Sequence, residues 1–585
     1  MRRHHLIIWF LVAALALPVM YGIADQEQQE GTIRPVGGLT FVDEIELTIA
    51  NLIVYVTDKK GRAITDLTQD DFLVFQDGDR KQISNFKLYT HEIVRGELEE
   101  PLESPLATPI PTAVDVDAAG PQPVHLVLYI DNENLEPLDR NRVLSQTREF
   151  VRKSVHPPAQ MMVVAYQRSF EVLQEFTSDP DEVLRAMRQV RRYTGGRSER
   201  ERSRQEIMER IGRIQDENRS AGGGAGQQIA GEYVEAYNMI QNYARESSNN
   251  LQFTLDSLRQ IFTSLSGLPG KKGVIYVSNG LPMTPGMDLF YELSNAANDT
   301  SILTNMYEFD KSRLYRQLAA TANAQGVTLY TIDAAGLSVG GLGSAEYANA
   351  RNPRSISVGR SNYTDSLRFL ADETGGIAII NTNDVGPKLD LINQDMYTYY
   401  SIGYPLQASG QDKVHKVKVE LRDDPAFKGY EVRYRSRFVE KSLETKVQDA
   451  VVSSLVFDVD DNPMEIEVET GNPTPASGDR WLLPAHISFP ITSVALLPEG
   501  EDFVARVVIF VAARDTNGKQ SDLVRQMHEV RVPADNYEEA KNQRWGIDTQ
   551  LLMEPGRYRI SVALLDPLTR QDSYETVSAA VHPKK

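Results

Sequence analysis

The chain has 585 residues, with 62 Lys and Arg against 81 Asp and Glu, so its formal net charge is −19. An acidic chain of this kind argues against nucleic-acid binding, because phosphate recognition requires a basic surface. The sequence contains no cysteine, which excludes disulfides and a lipid anchor on cysteine, so the domains must be stable from packing alone. The length allows three or four domains of roughly 150 residues each.

Residues 1–24 predict a cleavable secretory signal. Two arginines precede an apolar run at residues 6–19, and the small residues Gly22 and Ala24 follow it. The alternative is an uncleaved membrane anchor, but about 14 apolar residues are short against the roughly 20 that span a bilayer. Cleavage would take the net charge from −19 to −21 and would leave no transmembrane segment. We therefore expect a periplasmic or secreted protein.

Residues 41–95 predict a small N-terminal β-sandwich. Apolar residues alternate at 45, 47 and 49, an apolar run follows at 53–56, and a second apolar run at 72–75 comes just before a turn at 76–79. Six prolines without hydrophobic periodicity then occupy residues 96–123, which is typical of a semi-extended linker. A domain boundary is therefore expected there.

From residue 124 onward, short apolar runs alternate with amphipathic stretches. The runs are 124–130, 161–166, 274–277, 327–332 and 377–380, and helical spacing appears in 139–154, 180–192, 251–265, 311–325 and 364–373. Near-continuous apolar strands suit a sheet that is covered on both faces. The sequence therefore predicts a doubly wound, mainly parallel α/β domain, similar to Rossmann folds, over residues 124–438. Alternating strands after residue 396 form its C-terminal β extension, 397–438.

A polar insertion interrupts this domain at residues 195–250. Isoleucines at helical spacing, glycines at 222–224 and a second helical stretch indicate a helical hairpin that projects from the domain. We interpret it either as a mobile solvated insertion or as a partner-binding arm. After a short charged helix at 439–452, alternating strands in residues 453–585 predict a C-terminal β-sandwich.

Several short segments occur in a characteristic order. They are Val-Tyr-Val-Thr-Asp-Lys-Lys-Gly at 54–61, Leu-Thr-Gln-Asp-Asp-Phe at 67–72, Asp-Gly at 77–78, Phe-Thr-Ser-Asp at 176–179, Gly-Lys-Lys-Gly-Val-Ile-Tyr-Val-Ser-Asn-Gly-Leu at 270–281, Tyr-Thr-Ile-Asp at 330–333 and Tyr-Tyr-Ser-Ile-Gly-Tyr at 399–404. In this order they resemble the von Willebrand factor A-type (vWA) superfamily, and more closely the bacterial VWFA-related family of exported proteins. The resemblance covers most of residues 41–438 and implies a vWA-type domain with protein partners.

The resemblance also implies a metal-ion-dependent adhesion site. In many vWA domains it combines Asp-x-Ser-x-Ser after the first strand, a Thr from a later loop and a distal Asp, because Mg²⁺ takes six oxygen ligands. Asp131 matches the first Asp, but Glu133 and Leu135 replace the two serines, Asn279 replaces the distal Asp, and Thr194 is the candidate threonine. One interpretation is a degenerate site that holds Mg²⁺ or another divalent cation through Asp131, Glu133, Thr194 and Asn279. The other is that Asp131 caps the helix that follows.

A second group of acids lies at residues 458–462, with Glu469 eleven residues after the first of them. This spacing is similar to that of a calcium loop. However, Pro463 stands where such a loop needs glycine, and the residues after it alternate like a strand. We therefore interpret the group as an acidic turn before an edge strand.

Two common signatures of enzymes are missing. The chain contains no phosphate-binding Gly-x-x-x-x-Gly-Lys-Ser/Thr motif and no His-Glu-x-x-His motif, and its histidines are scattered. The leading hypothesis is a binding or scaffold protein and not an enzyme. Two alternatives remain open: an exported, metal-assisted hydrolase that uses Asp131 and Glu133, and a structural envelope component without a ligand. The hydrolase is disfavoured because no histidine stands beside these acids to serve as a base.

Overall fold

The computed structural model describes residues 47–90, 123–220, 226–337, 353–407, 410–457 and 461–581. The predicted signal at 1–24, almost all of the predicted linker at 96–123, the glycines at 222–224 and the acids at 458–460 lie outside these ranges. Residues from Leu47 onward belong to one unit, which is described below.

The described chain starts with strands and continues into alternating strands and helices. The first strands are β1 (Leu47–Thr57), β2 (Phe72–Gln76), β3 (Asp79–Lys81) and β4 (Asn85–Tyr89). The next elements are β5 (Val124–Asp131), α1 (Pro137–Ser154), β6 (Ala159–Gln167), β7 (Ser169–Thr177), α2 (Pro180–Gln189), α3 (Arg197–Ser220) and α4 (Gly226–Ser264). They are followed by β8 (Lys271–Ser278), α5 (Met287–Ala297), α6 (Ile302–Met306), α7 (Ser312–Ala324), β9 (Val327–Asp333), α8 (Pro353–Glu373), β10 (Ala378–Ile379) and α9 (Gly386–Tyr397).

The remaining elements are mostly strands. They are β11 (Tyr399–Gln407), β12 (Lys413–Leu421), β13 (Glu431–Tyr434), β14 (Arg437–Glu440), α10 (Leu443–Ser454), β15 (Glu467–Thr470), β16 (Thr474–Pro475), β17 (Trp481–Pro490) and β18 (Leu497–Glu499). The last are β19 (Asp502–Asp515), β20 (Val524–Pro533), α11 (Tyr537–Ala540), β21 (Arg544–Met553), β22 (Gly556–Leu565) and β23 (Asp572–Val581). In the described part of the chain, no helix is long and apolar enough to cross a membrane.

A six-stranded sheet of order β10-β9-β8-β5-β6-β7 forms the α/β part. Neighbouring strands in this sheet run parallel to each other, except that β7 runs antiparallel to β6. Apolar side chains of α1, α2 and α9 cover one face, and those of α4, α7 and α8 cover the other. All eight residues of the central strand β5 are buried as a result. This strand order confirms the mainly parallel α/β fold that the apolar runs predict. The structure also contains several antiparallel sheets.

Residues 399–440 pair with the start of the described chain and add no strand to the parallel sheet. Two four-stranded sheets result, of order β13-β1-β11-β4 and β14-β12-β2-β3, and their inner faces share one hydrophobic core. β1 pairs only with β11 and β13 among the described residues, so its alternating apolar positions are covered only when both parts of the chain are present. This pairing differs from the expected extension of the α/β domain by residues 397–438.

The insertion is a helical hairpin, but it does not project alone. Side chains of α3 and α4, including Ile211, Ile214 and Ile240, share a hydrophobic cluster with Leu289 and Phe290 of α5. Helix α4 continues without interruption to Ser264, so the helix predicted at 251–265 is its second half. The insertion is therefore part of the folded α/β unit.

The C-terminal part consists of two antiparallel sheets, here called the C-terminal sheet pair. One contains β15, β16, β17 and β21, and the other contains β18, β19, β20, β22 and β23. Their inner faces share a core that includes Phe489, Val507 and Leu564. Helix α10 packs on the outer face of the second sheet, against Phe510 and Leu565.

Candidate functional site

The carboxyl edge of the parallel sheet gathers the polar residues that follow its strands. The chain leaves β5 for β6 on one side and returns to β8 on the other, and such a switch point is where open α/β sheets usually bind ligands. Asp131 ends β5, Asn279 follows β8, and Asp333 ends β9 directly opposite Ser278. The strand order therefore places Asp131 and Asn279 at one edge of the sheet.

Asp131 is fully buried, and its carboxylate accepts hydrogen bonds from neighbouring groups of the protein. Its Oδ2 accepts from the hydroxyl of Tyr276 at 2.5 Å and from Nδ2 of Asn134 at 2.8 Å. Its Oδ1 accepts from the backbone N–H of Asn134 at 3.2 Å, which caps a single helical turn at Asn132–Asn134. Burial raises the pKa of Asp131 to about 6, against the opposing effect of the hydrogen bonds from Tyr276 and Asn134.

Asn134 connects this carboxylate to the insertion. Its Nδ2 is 3.2 Å from the hydroxyl of Thr254 on α4, and its Oδ1 accepts from the guanidinium of Arg200 on α3 at 2.9 Å. The same Arg200 nitrogen donates to the backbone carbonyl of Glu133 at 2.5 Å. Arg200 therefore holds the turn after β5 in place, and its charge also lowers the pKa of Asp131.

Three buried tyrosines lie beneath Asp131 on the α4 side of the sheet. The ring of Tyr129 is 5.7 Å from that of Tyr276 and 6.2 Å from that of Tyr166. The hydroxyl of Tyr129 is 2.7 Å from that of Ser257 on α4. Helix α4 thus covers this face of the sheet, and Asp131 is sealed from solvent.

Glu133 and Thr194 make their contacts away from Asp131. The carboxylate of Glu133 is 4.0 Å from the guanidinium of Arg200. A Cβ on Gly195 would come within 2.6 Å of the backbone oxygen of Leu135, so glycine lets the 194–196 loop approach the turn after β5. Thr194 is exposed, and its backbone carbonyl accepts from the side chain of Gln167 at 2.9 Å. The geometry assigns neither side chain to Asp131.

Asn279 and Asp333 form a second polar group at the edge. Asn279 donates its Nδ2 to Asp139 at 2.9 Å, and its backbone N–H donates to the carbonyl of Asn134 at 3.2 Å. Among the described residues, Oδ1 of Asn279 and Oδ2 of Asp333 are buried without a hydrogen-bond partner. Burial raises the pKa of Asp333, although Arg360 at 3.6 Å opposes the shift.

Three arginines at this edge are partly exposed. Arg142 donates to the backbone carbonyl of Ala334 and lies 3.4 Å from Asp139. Arg360 donates to the carbonyl of Gly336 at 2.5 Å. Arg197 lies 5.7 Å from the centre of the Tyr363 ring, and it donates to the carbonyl of Asn279 over 3.4 Å. We call Arg142, Arg197 and Arg360 the arginine edge.

At Asp131 and Leu135, the placed residues do not suit a divalent cation. Both oxygens of Asp131 already accept hydrogen bonds, Leu135 is a buried apolar residue, and Asn279 directs its amide nitrogen to Asp139. Mg²⁺ requires near-octahedral coordination by oxygen atoms. Across the described ranges, no three His, Cys, Asp or Glu side chains stand close enough together to hold a metal ion.

The residues that hold the turn after β5 in place were not predicted from the sequence. Asn134 follows Asp131 by three residues and could have been predicted as the donor of a capping turn. Tyr276, Thr254 and Arg200 come from distant segments, and no local pattern points to them. The charged insertion was recognised, but its arginines were interpreted only as a solvated face or as part of an arm.

No family model and no curated protein matches the chain. Among solved structures, it is similar to an aerotolerance-related membrane protein from Bacteroides fragilis, at 11% identity over 47% of this chain and 98% of that one, with a TM-score of 0.22. It is also similar to BatB from Bacteroides thetaiotaomicron, at 11% identity over 47% and 97%, with a TM-score of 0.21.

The vWF domain of the type V pili tip protein Mfa5 from Porphyromonas gingivalis is similar at 13% identity over 47% of this chain and 95% of that one, with a TM-score of 0.24. Structures of vWA-type domains are therefore among those that the chain resembles, as the sequence predicts. Identities and TM-scores this low add no argument of their own, and the fold assignment rests on the strand order described above.

Proposed function

We propose that this chain is a binding or scaffold protein that works outside the cytoplasm and is not an enzyme. A protein partner docks on the carboxyl edge of the parallel sheet, and the arginine edge is its main contact. The observation that carries this proposal is the placement of three partly exposed guanidinium groups at the carboxyl edge of the sheet, beside the residues that follow β8 and β9. Each is oriented by a backbone carbonyl of the fold.

Arginine suits such a contact for physical reasons. Its planar guanidinium matches a carboxylate in two parallel hydrogen bonds, and it loses little freedom when it is already oriented. Arginine is also enriched among the residues that contribute most to protein interfaces. An acidic side chain of the partner is therefore the expected counterpart.

The competing mechanism uses a divalent cation at Asp131, Glu133, Thr194 and Asn279. The donor set at these positions does not favour it, because Asp131 is sealed and already hydrogen-bonded. The hydrolase alternative needs Asp131 as a base that reaches water, and its burial argues against that role. The structural alternative, an envelope component without a ligand, predicts no specific partner at all.

The proposal also covers the location of the protein and the role of the two β units that flank the α/β domain. The predicted signal at 1–24 supports a periplasmic or secreted location. In this proposal, the two-sheet unit of residues 47–89 and 399–440 and the C-terminal sheet pair are β-sandwich domains that flank the α/β domain and serve as scaffold.

Affinity capture from the native envelope tests the proposal, with the mature chain as bait. The variant Arg197→Ala/Arg360→Ala should lose the captured partner, whereas Arg506→Ala, at an exposed surface pair on β19, should keep it. EDTA should have no effect on capture. Equal capture by the edge variant and the wild type would refute the arginine edge, and loss in EDTA would favour the cation.

A further inference from the structure

A cavity of about 480 Å³ opens between the two sheets of the C-terminal sheet pair. Apolar side chains from β17, β19 and β21 line it, among them Ile487, Ile509, Val511, Ile547 and Leu551. Ligand sites in proteins usually have volumes of roughly 300–1,000 Å³. The cavity is therefore large enough to receive several side chains of a partner.

The cavity lies between two edge strands. Among the described residues, β20 pairs only with β19, and β21 pairs only with β17. Residues of both strands, such as Gln526 and Thr549, line the opening. Each strand therefore presents a row of unpaired backbone N–H and C=O groups beside the cavity, and such a row is a template for a further strand.

The burial of β20 changes along one face of the strand. Val530 and Val532 are buried, whereas Val524 is 46% exposed and Gln526 is also exposed. Side chains two residues apart point to the same face of a strand, so these four residues share the face that turns toward the opposite sheet. The sheet pair covers one end of this face and leaves the other open at the cavity.

We propose that this opening binds an extended segment of a partner protein, which pairs with the free edge of β20 and places alternate apolar side chains in the cavity. Strand addition would satisfy the unpaired backbone groups, and the cavity would select the side chains. A small apolar molecule could fill the cavity, but it would leave the backbone edge unpaired. The open edge therefore favours a peptide segment. This site is separate from the arginine edge and does not depend on the function proposed for it.

Binding of a synthetic peptide to the full chain tests the proposal. The probe is a fluorescent peptide of alternating valine and threonine with lysines at its ends, and fluorescence anisotropy reports its binding. The control peptide has the same sequence with every second backbone amide N-methylated, so it carries the same charge but cannot pair with a strand. Because each backbone hydrogen bond contributes about 0.5–1.5 kcal/mol, N-methylation should weaken binding about tenfold or more.

Two protein variants locate the site. Thr549→Trp places a large side chain in the cavity and should weaken binding about tenfold or more. Leu568→Trp changes a 56% exposed residue that lies outside β20 and β21 and does not line the cavity, and it should bind like the wild type. Thermal unfolding checks that both variants are folded. If Thr549→Trp does not fold, the comparison of the two peptides on the wild type still decides.

Three results would overturn the proposal. They are equal affinity of the wild type for the two peptides, binding of neither peptide, and undiminished binding by a folded Thr549→Trp variant. Anilinonaphthalene sulfonate serves as a small apolar probe. If it binds in the cavity while neither peptide does, the site belongs to small apolar molecules.

Discussion

At the scale of single residues, the carboxylate of Asp131 is the most constrained group at the sheet edge. It is fully buried, and the hydroxyl of Tyr276 and the amide groups of Asn134 hold it. A buried carboxylate is tolerated only when hydrogen bonds replace its water. The turn after β5 and Tyr276 on β8 therefore supply the hydrogen bonds of this carboxylate from within the protein.

Replacing Asp131 by Asn should change how stability depends on pH. Burial raises the pKa of Asp131 from 3.8 to about 6, so between these values the folded state binds the proton more tightly than the unfolded state. The stability that Asp131 contributes should therefore fall as the pH rises through this window and stay constant above it.

The measurement is the difference in unfolding midpoint between the wild type and Asp131→Asn, followed by circular dichroism from about pH 4 to about pH 8. The unfolding midpoint of the wild type should fall relative to that of the variant as the pH rises from about 4 to about 6. Asp479→Asn is the control, because Asp479 is an exposed residue far from the sheet edge in the sequence. A difference that does not vary with pH would contradict the assigned environment of Asp131.

Tyr276→Phe should destabilise the protein through the same carboxylate. The change removes the hydroxyl that donates to Asp131 at 2.5 Å and leaves a buried acceptor with one donor fewer, which costs about 1–3 kcal/mol. In the Asp131→Asn background the cost should be smaller, because the charge is gone. Equal costs in the two backgrounds, measured as a double-mutant cycle by chemical denaturation, would show that the two side chains are not coupled.

At the scale of elements, the long helices of the insertion contribute to the core and to the site at once. Helix α4 supplies Thr254 and Ser257 beside Asn134 and Tyr129, and its first half packs with α3 and α5. Because deleting residues 195–250 would remove this packing, such a deletion cannot separate binding from folding. Single substitutions are the better tool.

Ile214→Ala tests whether the insertion is a folded element. Ile214 is fully buried in the cluster that joins α3, α4 and α5, so its truncation should cost about 2–5 kcal/mol of unfolding free energy. Val234→Ala on α4 is the matched control, because Val234 is 55% exposed. Similar small effects of both changes would indicate that the insertion is not packed as described.

The periodicity of the sequence predicts most strands and helices of the α/β part. The runs at 124–130 and 327–332 coincide with β5 and β9 to within one residue, because buried parallel strands are almost purely apolar. Helix α5 was missed. It is buried on several sides, including at Asp288 and Glu292, so it lacks the single apolar stripe by which a surface helix is recognised.

The site was predicted only as far as the ends of the strands. Asp131 and Asn279 follow apolar runs, and parallel strands bring such positions to one edge. The donors Arg200 and Tyr276 lie 66 and 145 residues from their acceptors, so only the fold brings them together. Thr194 was chosen by residue type, and it is exposed.

At the scale of the whole molecule, distant segments of the chain combine into one two-sheet unit. Strand β1 pairs with β11 and β13, and β2 pairs with β12, so partners are more than 300 residues apart in the sequence. The alternating pattern revealed the strands, but pairing over such a distance leaves no local signal. The unit therefore depends on the α/β part to bring its two halves together.

An ion pair connects the two parts. Arg433 on β13 donates to both carboxylate oxygens of Asp395 on α9, at 2.7 and 2.9 Å, and Asp395 is buried. Arg433→Met should cost about 3–5 kcal/mol, because it leaves a buried carboxylate without its partner. The double variant Arg433→Met/Asp395→Asn should recover part of the loss. The free energies of unfolding are measured by chemical denaturation as a double-mutant cycle. If the effects of Arg433→Met and Asp395→Asn simply add in the double variant, the two side chains are not coupled.

Thermal unfolding of the full chain in Mg²⁺, in Mn²⁺ and in EDTA decides whether the sheet edge is held by the protein's own donors or by a cation. A cation that binds only the folded state at about 100 times its Kd would stabilise it by about 2.7 kcal/mol. Internal hydrogen bonds at Asp131 predict the same midpoint under all three conditions. A midpoint that rises with Mg²⁺ or Mn²⁺, falls in EDTA and loses this response in Asp131→Asn would contradict the assignment.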